Sequence, residues 1–239
     1  MPMNESSYTG RSWRGRAAQG GNARETAYQI LRDGIIHLRF KPGEALSDKQ
    51  LAEELSMSRT PVREALILLA SANMVVLRPQ VGTFVAPIDV QRMEMEQFAR
   101  CAVEKEILRL CCERPDADLA WRYEENLRGF SHYAAMKTPD LRRLLELDNA
   151  FHRIAFTAVG READYFHMME GLQHVERMRV LSNLGMAQDE TYADHCAVSR
   201  AVLARDTAAA LGHLEVHLNR YRDNLRLLEE KFPAYFSLG

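Results

Sequence analysis

No stretch of this sequence is apolar for the roughly 18 to 20 residues that a bilayer span requires. Its start, where Arg11, Arg14 and Arg16 stand among Ser and Gly, lacks the apolar centre of a signal peptide. A membrane partner is therefore not expected, and a cytoplasmic location is. The four cysteines, Cys101, Cys111, Cys112 and Cys196, form no CxxC pair and sit within apolar helical patterns, so reduced thiols are expected rather than a disulfide framework. A formal net charge of −2 rules out a strongly polycationic or polyanionic chain. No HExxH, GxSxG or phosphate-loop motif is present, which removes the commonest signatures of hydrolases and nucleotide enzymes. Beyond residue 89 there is no β-rich segment and no regular repeat.

What is present is an ordinary globular composition, 46% apolar and 27% charged over 239 residues, with its charge unevenly placed. Residues 1–88 hold 11 Lys or Arg against 8 Asp or Glu, and residues 89–239 hold 20 against 25. A small basic module followed by a more acidic domain suits a DNA-binding head with a partner domain. Residues 1–22, rich in Ser, Gly, Arg and Asn, read as a flexible tail, because they offer too little apolar surface to offset the entropy of ordering.

Residues 23–88 read as three short helices and a hairpin. Ala27, Ile30, Leu31, Ile35 and Leu38 recur at helical spacing before Lys41-Pro42-Gly43 ends the first helix. Ser47-Asp48 can cap a second helix through Leu51, Ala52 and Leu55, and Ser56-Met57-Ser58 turns into a third from Arg59 to about Ser71. The segments 74–77 and 81–85, joined by Arg78-Pro79-Gln80, read as a two-stranded wing. In a helix-turn-helix the second helix of the pair enters the major groove. Here that helix opens with Ser58, Arg59, Thr60 and Arg63, two arginines on one face and two hydroxyls at the positive end, while Val62, Ala65, Leu66 and Leu69 fall on the packing side.

Residues 89–239 read as an all-α six-helix bundle, with helices near 89–114, 116–136, 138–158, 162–184, 188–204 and 207–230 and with Asp206 as the cap of the last. Asp148 and His152, four apart, share one helix face. If the helices carrying His195 and His217 face them across the bundle, three imidazoles and a carboxylate meet in a set that suits zinc, nickel or a related divalent ion. His213 with His217 is an equally spaced rival pair, and His167 with His174 offers another two imidazoles seven apart.

From Gly43 to Val85 the chain resembles the winged helix of the GntR family of regulators, above all in Leu51-Ala52-Glu53-Glu54-Leu55, Ser58 to Leu66 and Gly82-Thr83-Phe84-Val85. The resemblance implies that Arg59 and Arg63 contact bases or phosphates, that Lys49 joins them, and that Gly82 of the wing enters the minor groove. Lysine at 49, where arginine is common, makes a phosphate contact as suitable as a base contact. Residues 90–230 resemble the C-terminal ligand-binding (FCD) domain of the FadR-type branch, through Arg100 and Glu104, Asp148-x-x-Phe151-His152, and His195 followed by Asp206, Ala208-Ala209-Ala210 and His217-Leu218. In metal-binding members, the positions matching Asp148, His152, His195 and His217 hold the ion, which sets the rival histidines aside. The effectors of that branch are small organic acids gripped near the metal by arginine. Arg100 is the first candidate for that grip, with Arg177 and Arg179 behind it. Gly160-Arg161 stands where the family commonly has an Asn.

The reading is a homodimeric transcription regulator, a non-enzyme, that binds double-stranded operator DNA under the control of a small organic-acid effector. The alternatives are a metal-dependent hydrolytic enzyme with an accessory winged helix, and a structural protein whose histidines are core polar groups.

Overall fold

The computed structural model describes residues 22–114, 116–183 and 188–237, so the expected N-terminal tail lies, except for Asn22, outside the described residues. The chain divides into two compact units, one running to Val90 and joined by Glu229–Gly239, the other spanning Gln91–Leu228.

In the first unit, α1 (Ala23–Ile36), α2 (Asp48–Leu55) and α3 (Arg59–Ser71) surround a core of Ala27, Leu31, Ile35, Leu51, Leu55, Val62, Ala65, Leu66 and Leu69. Each fully buried Leu, Ile or Val in it contributes about 1.5–3 kcal/mol through the water it excludes. Ser47 caps α2 by accepting from the Gln50 amide, and Ser56, in the left-handed conformation at φ 54°, ends it. That sharp stop brings α3 in across α2 after only three linking residues.

The wing is antiparallel, β2 (Val75–Arg78) on β3 (Gly82–Val85), with Val76 opposite Phe84 and Arg78 opposite Gly82. β1 (Ala45–Leu46) adds to the other edge of β3. Gly82 has φ 141°, a conformation that side-chain-bearing residues avoid, and this lets the strand leave the turn. A pairing that sequence reading did not anticipate follows the wing: β4 (Ile88–Asp89) runs parallel to β5 (Phe236–Ser237) near the C-terminus.

The second unit is helical throughout its described residues: α4 (Val90–Glu113), α5 (Leu119–Ala134), α6 (Leu141–Ala158), α7 (Glu162–Gly171), α8 (Gln173–Asn183), α9 (Gln188–Leu203), α10 (Thr207–Asn219) and α11 (Tyr221–Lys231). Asp206 does cap α10, accepting from the Ala209 amide. Two of the six expected helices are divided. The 207–230 pattern breaks at Arg220, and the 162–184 pattern breaks at Leu172. At the second break the cause lies elsewhere in the chain: Glu96 of α4 accepts from the His174 and Val175 amides at 2.8 and 2.9 Å, supplying the cap from which α8 starts afresh. α6 ends in a Schellman-type stop, with Gly160 at φ 74° and the Arg161 amide donating to the Phe156 carbonyl. This assigns a structural task to the Gly160-Arg161 departure. All four cysteines are free thiols, and no helix among the described residues is long and apolar enough to cross a membrane.

The Glu96 cap has a pH consequence. Burial pushes its carboxyl from 4.5 up to about 7, against the pull of the amides it accepts from. Between those values the folded chain holds a proton that the unfolded chain has released, so stability falls as pH rises across the window. Glu96→Gln is expected to flatten that part of the profile. Urea unfolding of chelator-treated protein at several pH values checks this; an identical slope in the variant would remove the account.

Candidate nucleic-acid interface and metal centre

Lys49, Ser58, Arg59, Thr60, Arg63 and Gly82 are all exposed, as groups that meet a large partner must be. Ser58 occupies the N-cap position of α3 but makes no side-chain capping bond, so its hydroxyl remains available. Arg59 and Arg63 do not extend freely. Both are held by Asp48, the first residue of α2: Arg59 donates through Nη2 at 2.7 and 3.0 Å, and Arg63 donates through Nε. A groove lies between this cluster and the wing, lined by Asp48, Arg63 and Ile67 on one side and by Val81, Gly82 and Thr83 on the other. Sequence reading gave Asp48 only a capping role; nothing in the local pattern shows that it reaches 11 and 15 residues along the chain.

In the second unit α6 contributes Asp148 and His152 one turn apart, α9 contributes His195 and α10 contributes His217, and one ligand atom from each lies within 4.8 Å of the others. His195 Nε2 is 3.0 Å from Asp148 Oδ1, which is 3.9 Å from both His152 Nε2 and His217 Nε2. The latter two nitrogens are 3.2 Å apart. An ion with bonds of about 2.0–2.1 Å spaces its ligands by roughly 2.9–3.4 Å, so little adjustment is needed.

The surroundings of the cluster fix its protonation. His152 Nδ1 donates to Glu104 at 2.6 Å, and His217 Nδ1 lies 3.5 Å from Asp194. The proton of the His152 ring is thus drawn outward, leaving a bare Nε2 lone pair that faces the Nε2 of His217. Burial lowers the basicity of His152, even against the pull of Glu104, and takes His195 down to about 3. Burial works against the ionised form of Asp148, but Arg179 and His195 outweigh it and hold the carboxyl well below its ordinary range. Asp148 Oδ1 and His195 Nε2 are buried and lie 3.0 Å apart without the alignment of a hydrogen bond, and neither has another hydrogen-bond partner among the described residues. Two imidazoles kept neutral by burial, His152 and His195, an ionised carboxylate and unsatisfied buried lone pairs make a donor set that fits a divalent cation. The His195 ring is further locked by Phe151, stacked on it at 3.9 Å and 7°.

Each anchor of the cluster ends in an arginine. Arg100 donates through Nε to Glu104 at 2.6 Å, Arg220 grips Asp194 at 2.5 and 2.6 Å, and Arg179 bridges Glu176 and Asp148. All three arginines line one cavity of about 90 Å³ that reaches Asp148 and His217. Sequence reading named Arg100 and Arg179 but missed Arg220, which sits in what looked like an unbroken helix. Arg177 is not among the cavity's lining residues. It is 1% exposed, and burial lowers its guanidinium to about 10 against the opposing charge of Glu96. His213, His167 and His174 lie outside the cluster of four.

A family model described as bacterial regulatory proteins, gntR family, matches residues 23–85, and the FCD domain model matches residues 97–220. An uncharacterized HTH-type transcriptional regulator in an unstable DNA locus of Streptomyces ambofaciens is 30% identical over 222 residues, 91% of this chain and 91% of its own. The HTH-type transcriptional repressor RspR of Escherichia coli K12 is 28% identical over 212 residues, 88% of this chain and 92% of its own. Among solved structures, E. coli McbR/YncC shares the fold at a TM-score of 0.70 and 18% identity, over 89% of this chain and 100% of that one. The chain therefore belongs to the GntR family of bacterial regulatory proteins, with a winged helix-turn-helix at its N-terminus and an FCD domain after it.

Proposed function

We propose that the protein is a transcription regulator that binds a two-fold operator as a homodimer and changes its DNA affinity when a small organic acid enters the FCD cavity. The observation that carries this is the convergence of Arg100, Arg179 and Arg220, each tied to the metal cluster, on one small cavity. Taken together, Glu104, Asp148, Glu176, Asp194 and, on Arg220, Glu190 bring five negative charges against the three positive ones of the arginines. The empty protein thus favours a cation. Asp148, His152, His195 and His217 would hold a zinc or nickel ion, which, when bound, supplies Lewis acidity and an open position for a carboxylate oxygen. A divalent ion offsets that excess of negative charge, and its open position takes the carboxylate.

Among the described residues Arg100 meets Glu104 through Nε alone, and its terminal donors suit the carboxylate of an effector. Ser182 Oγ, buried in the same cavity without a partner among the described residues, suits a hydroxyl or keto oxygen. About 90 Å³ is smaller than the roughly 150 Å³ that accommodates benzene. The fit is an acid of about two to four carbons. The relatives described above are regulators, which gives the hydrolase reading no support.

Fluorescence titration of a DNA fragment selected from a genomic pool tests this, using chelator-treated and zinc- or nickel-loaded protein with a panel of small hydroxy and keto acids. The affinity is expected to change about 5- to 150-fold only when metal and acid are both present. Indifference to every acid by loaded protein would overturn the effector reading while leaving DNA binding intact.

A further inference from the structure

We propose that Asp48 determines DNA specificity by acting as an internal competitor for the phosphate backbone: in the free protein it holds Arg59 and Arg63, and only a ligand offering both arginines better contacts releases them. The inference rests on the reading that these two arginines meet DNA. Its observation is geometric. Arg59 and Arg63 lie one turn apart at the start of α3, and Asp48, at the start of α2, takes one guanidinium on both carboxylate oxygens and the other on Oδ2.

Asp48 is one-fifth exposed while the arginine side chains are 53% and 61% exposed, so these ion pairs are in contact with water and inexpensive to break. Three effects follow from the clamp. It restricts the rotamers of two long side chains and keeps Arg63 on the groove that the wing lines. It also cancels one positive charge where a duplex would lie, which weakens attraction to any phosphate regardless of sequence. A backbone phosphate offers a guanidinium the same kind of anionic two-oxygen acceptor that Asp48 already supplies, so exchanging one for the other gains little, whereas docking on the operator adds guanine O6 and N7 contacts to the phosphate contacts and outweighs the loss of the carboxylate. Random DNA therefore loses more from the competition than the operator does, and the ratio between them rises.

An acidic residue in the first turn of α2 also favours that helix through its dipole. That role affects stability alone, so DNA measurements separate the two.

The experiment compares wild type, Asp48→Asn and Asp48→Glu by fluorescence anisotropy. The probes are a mixed-sequence duplex and the tightest duplex recovered by selection from a random pool, each over a salt series. For Asp48→Asn, binding to the mixed-sequence duplex at 0.1 M salt is expected to tighten about 8-fold, and the slope of log K against log salt to steepen by about 0.9, the signature of one further phosphate neutralised. The preference for the selected duplex falls by a similar factor, and Asp48→Glu recovers part of it. In NMR spectra, the Arg63 Nε–H signal of wild type is shifted and slow to exchange, and it loses both properties in Asp48→Asn.

An Asp48→Asn protein that is folded, loses the Arg63 signal, yet binds mixed-sequence DNA with unchanged affinity and slope would overturn the proposal. So would a wild-type Arg63 signal indistinguishable from that of a free arginine. Arg59→Gln, Arg63→Gln serves as the control for the underlying reading: if it binds both duplexes as wild type does, the arginines do not meet DNA, and that failure is distinct from a failure of Asp48 alone.

Discussion

Replacing both arginines, Arg59→Gln and Arg63→Gln, is expected to weaken binding to the selected operator by about 30- to 25,000-fold, corresponding to about 1–3 kcal/mol for each lost bidentate contact. With Asp48 offsetting one of the two charges, the slope of log K against log salt should become shallower by about 0.9. Glutamine preserves helix propensity and length while removing charge and fork, so α3 persists. Both side chains are more than half exposed, and their pairs with Asp48 contribute little to folding, so the midpoint of thermal unfolding should shift by no more than a few degrees. The variant also leaves the Asp48 carboxylate without its cations, facing the phosphates. Adding Asp48→Asn to the double variant should therefore recover about one decade of affinity. Anisotropy titrations at three salt concentrations, with circular dichroism as the folding control, read all of this. A double variant that retains operator affinity would move the DNA-reading surface off the start of α3.

The parts of this molecule that were legible in its sequence are those in which the physics is local. Leu51, Leu55, Val62, Ala65, Leu66 and Leu69 recur at helical spacing over fewer than 20 residues, and the core they form needs no distant information. Asp148 and His152 could be placed on one face from their spacing alone. Their meeting with His195 and His217 could not, because it depends on how α9 and α10 lie against α6; there a resemblance, not periodicity, brought the four together.

The misses share the converse property. Leu172 continues an apolar pattern, so the stop between α7 and α8 is invisible locally; it is imposed by Glu96, 78 residues away from the His174 amide it accepts from. β5 is two residues long and becomes a strand only because Ile88 and Asp89 offer it an edge. Arg220 and Asp194 meet across 26 residues, and Asp48 reaches its arginines across a turn. Long polar side chains can reach across several helices' worth of sequence, and period counting contains no term for that.

The second large effect concerns the metal cluster. Wild-type protein purified without chelator is expected to carry about one divalent ion per chain by elemental analysis, a stoichiometry set by its single complete set of four ligands among the described residues. His152→Ala, His195→Ala should carry none. An ion that binds only the folded chain stabilises it by about 2.7 kcal/mol at one hundred times its dissociation constant. In a chain of this length that raises the unfolding midpoint by roughly 5–10 °C, and adding zinc or nickel to chelated wild type should show it. The double variant should show no rise, from a lower starting point, because truncating His195 leaves a void against Phe151 that itself costs a few kcal/mol. That loss is why His217→Gln is the better second variant. Its ring is partly exposed, and its replacement leaves the core intact while removing one Nε2 donor. If His217→Gln keeps the wild-type midpoint without metal, loses the metal-induced rise and still binds operator DNA while ignoring small acids, the ion belongs to sensing and not to folding. A wild type that takes up no divalent ion and gains no stability from zinc, nickel, cobalt or manganese would reduce the four residues to a buried polar network. Asp148 and Arg179 would then have to be explained as an ion pair alone.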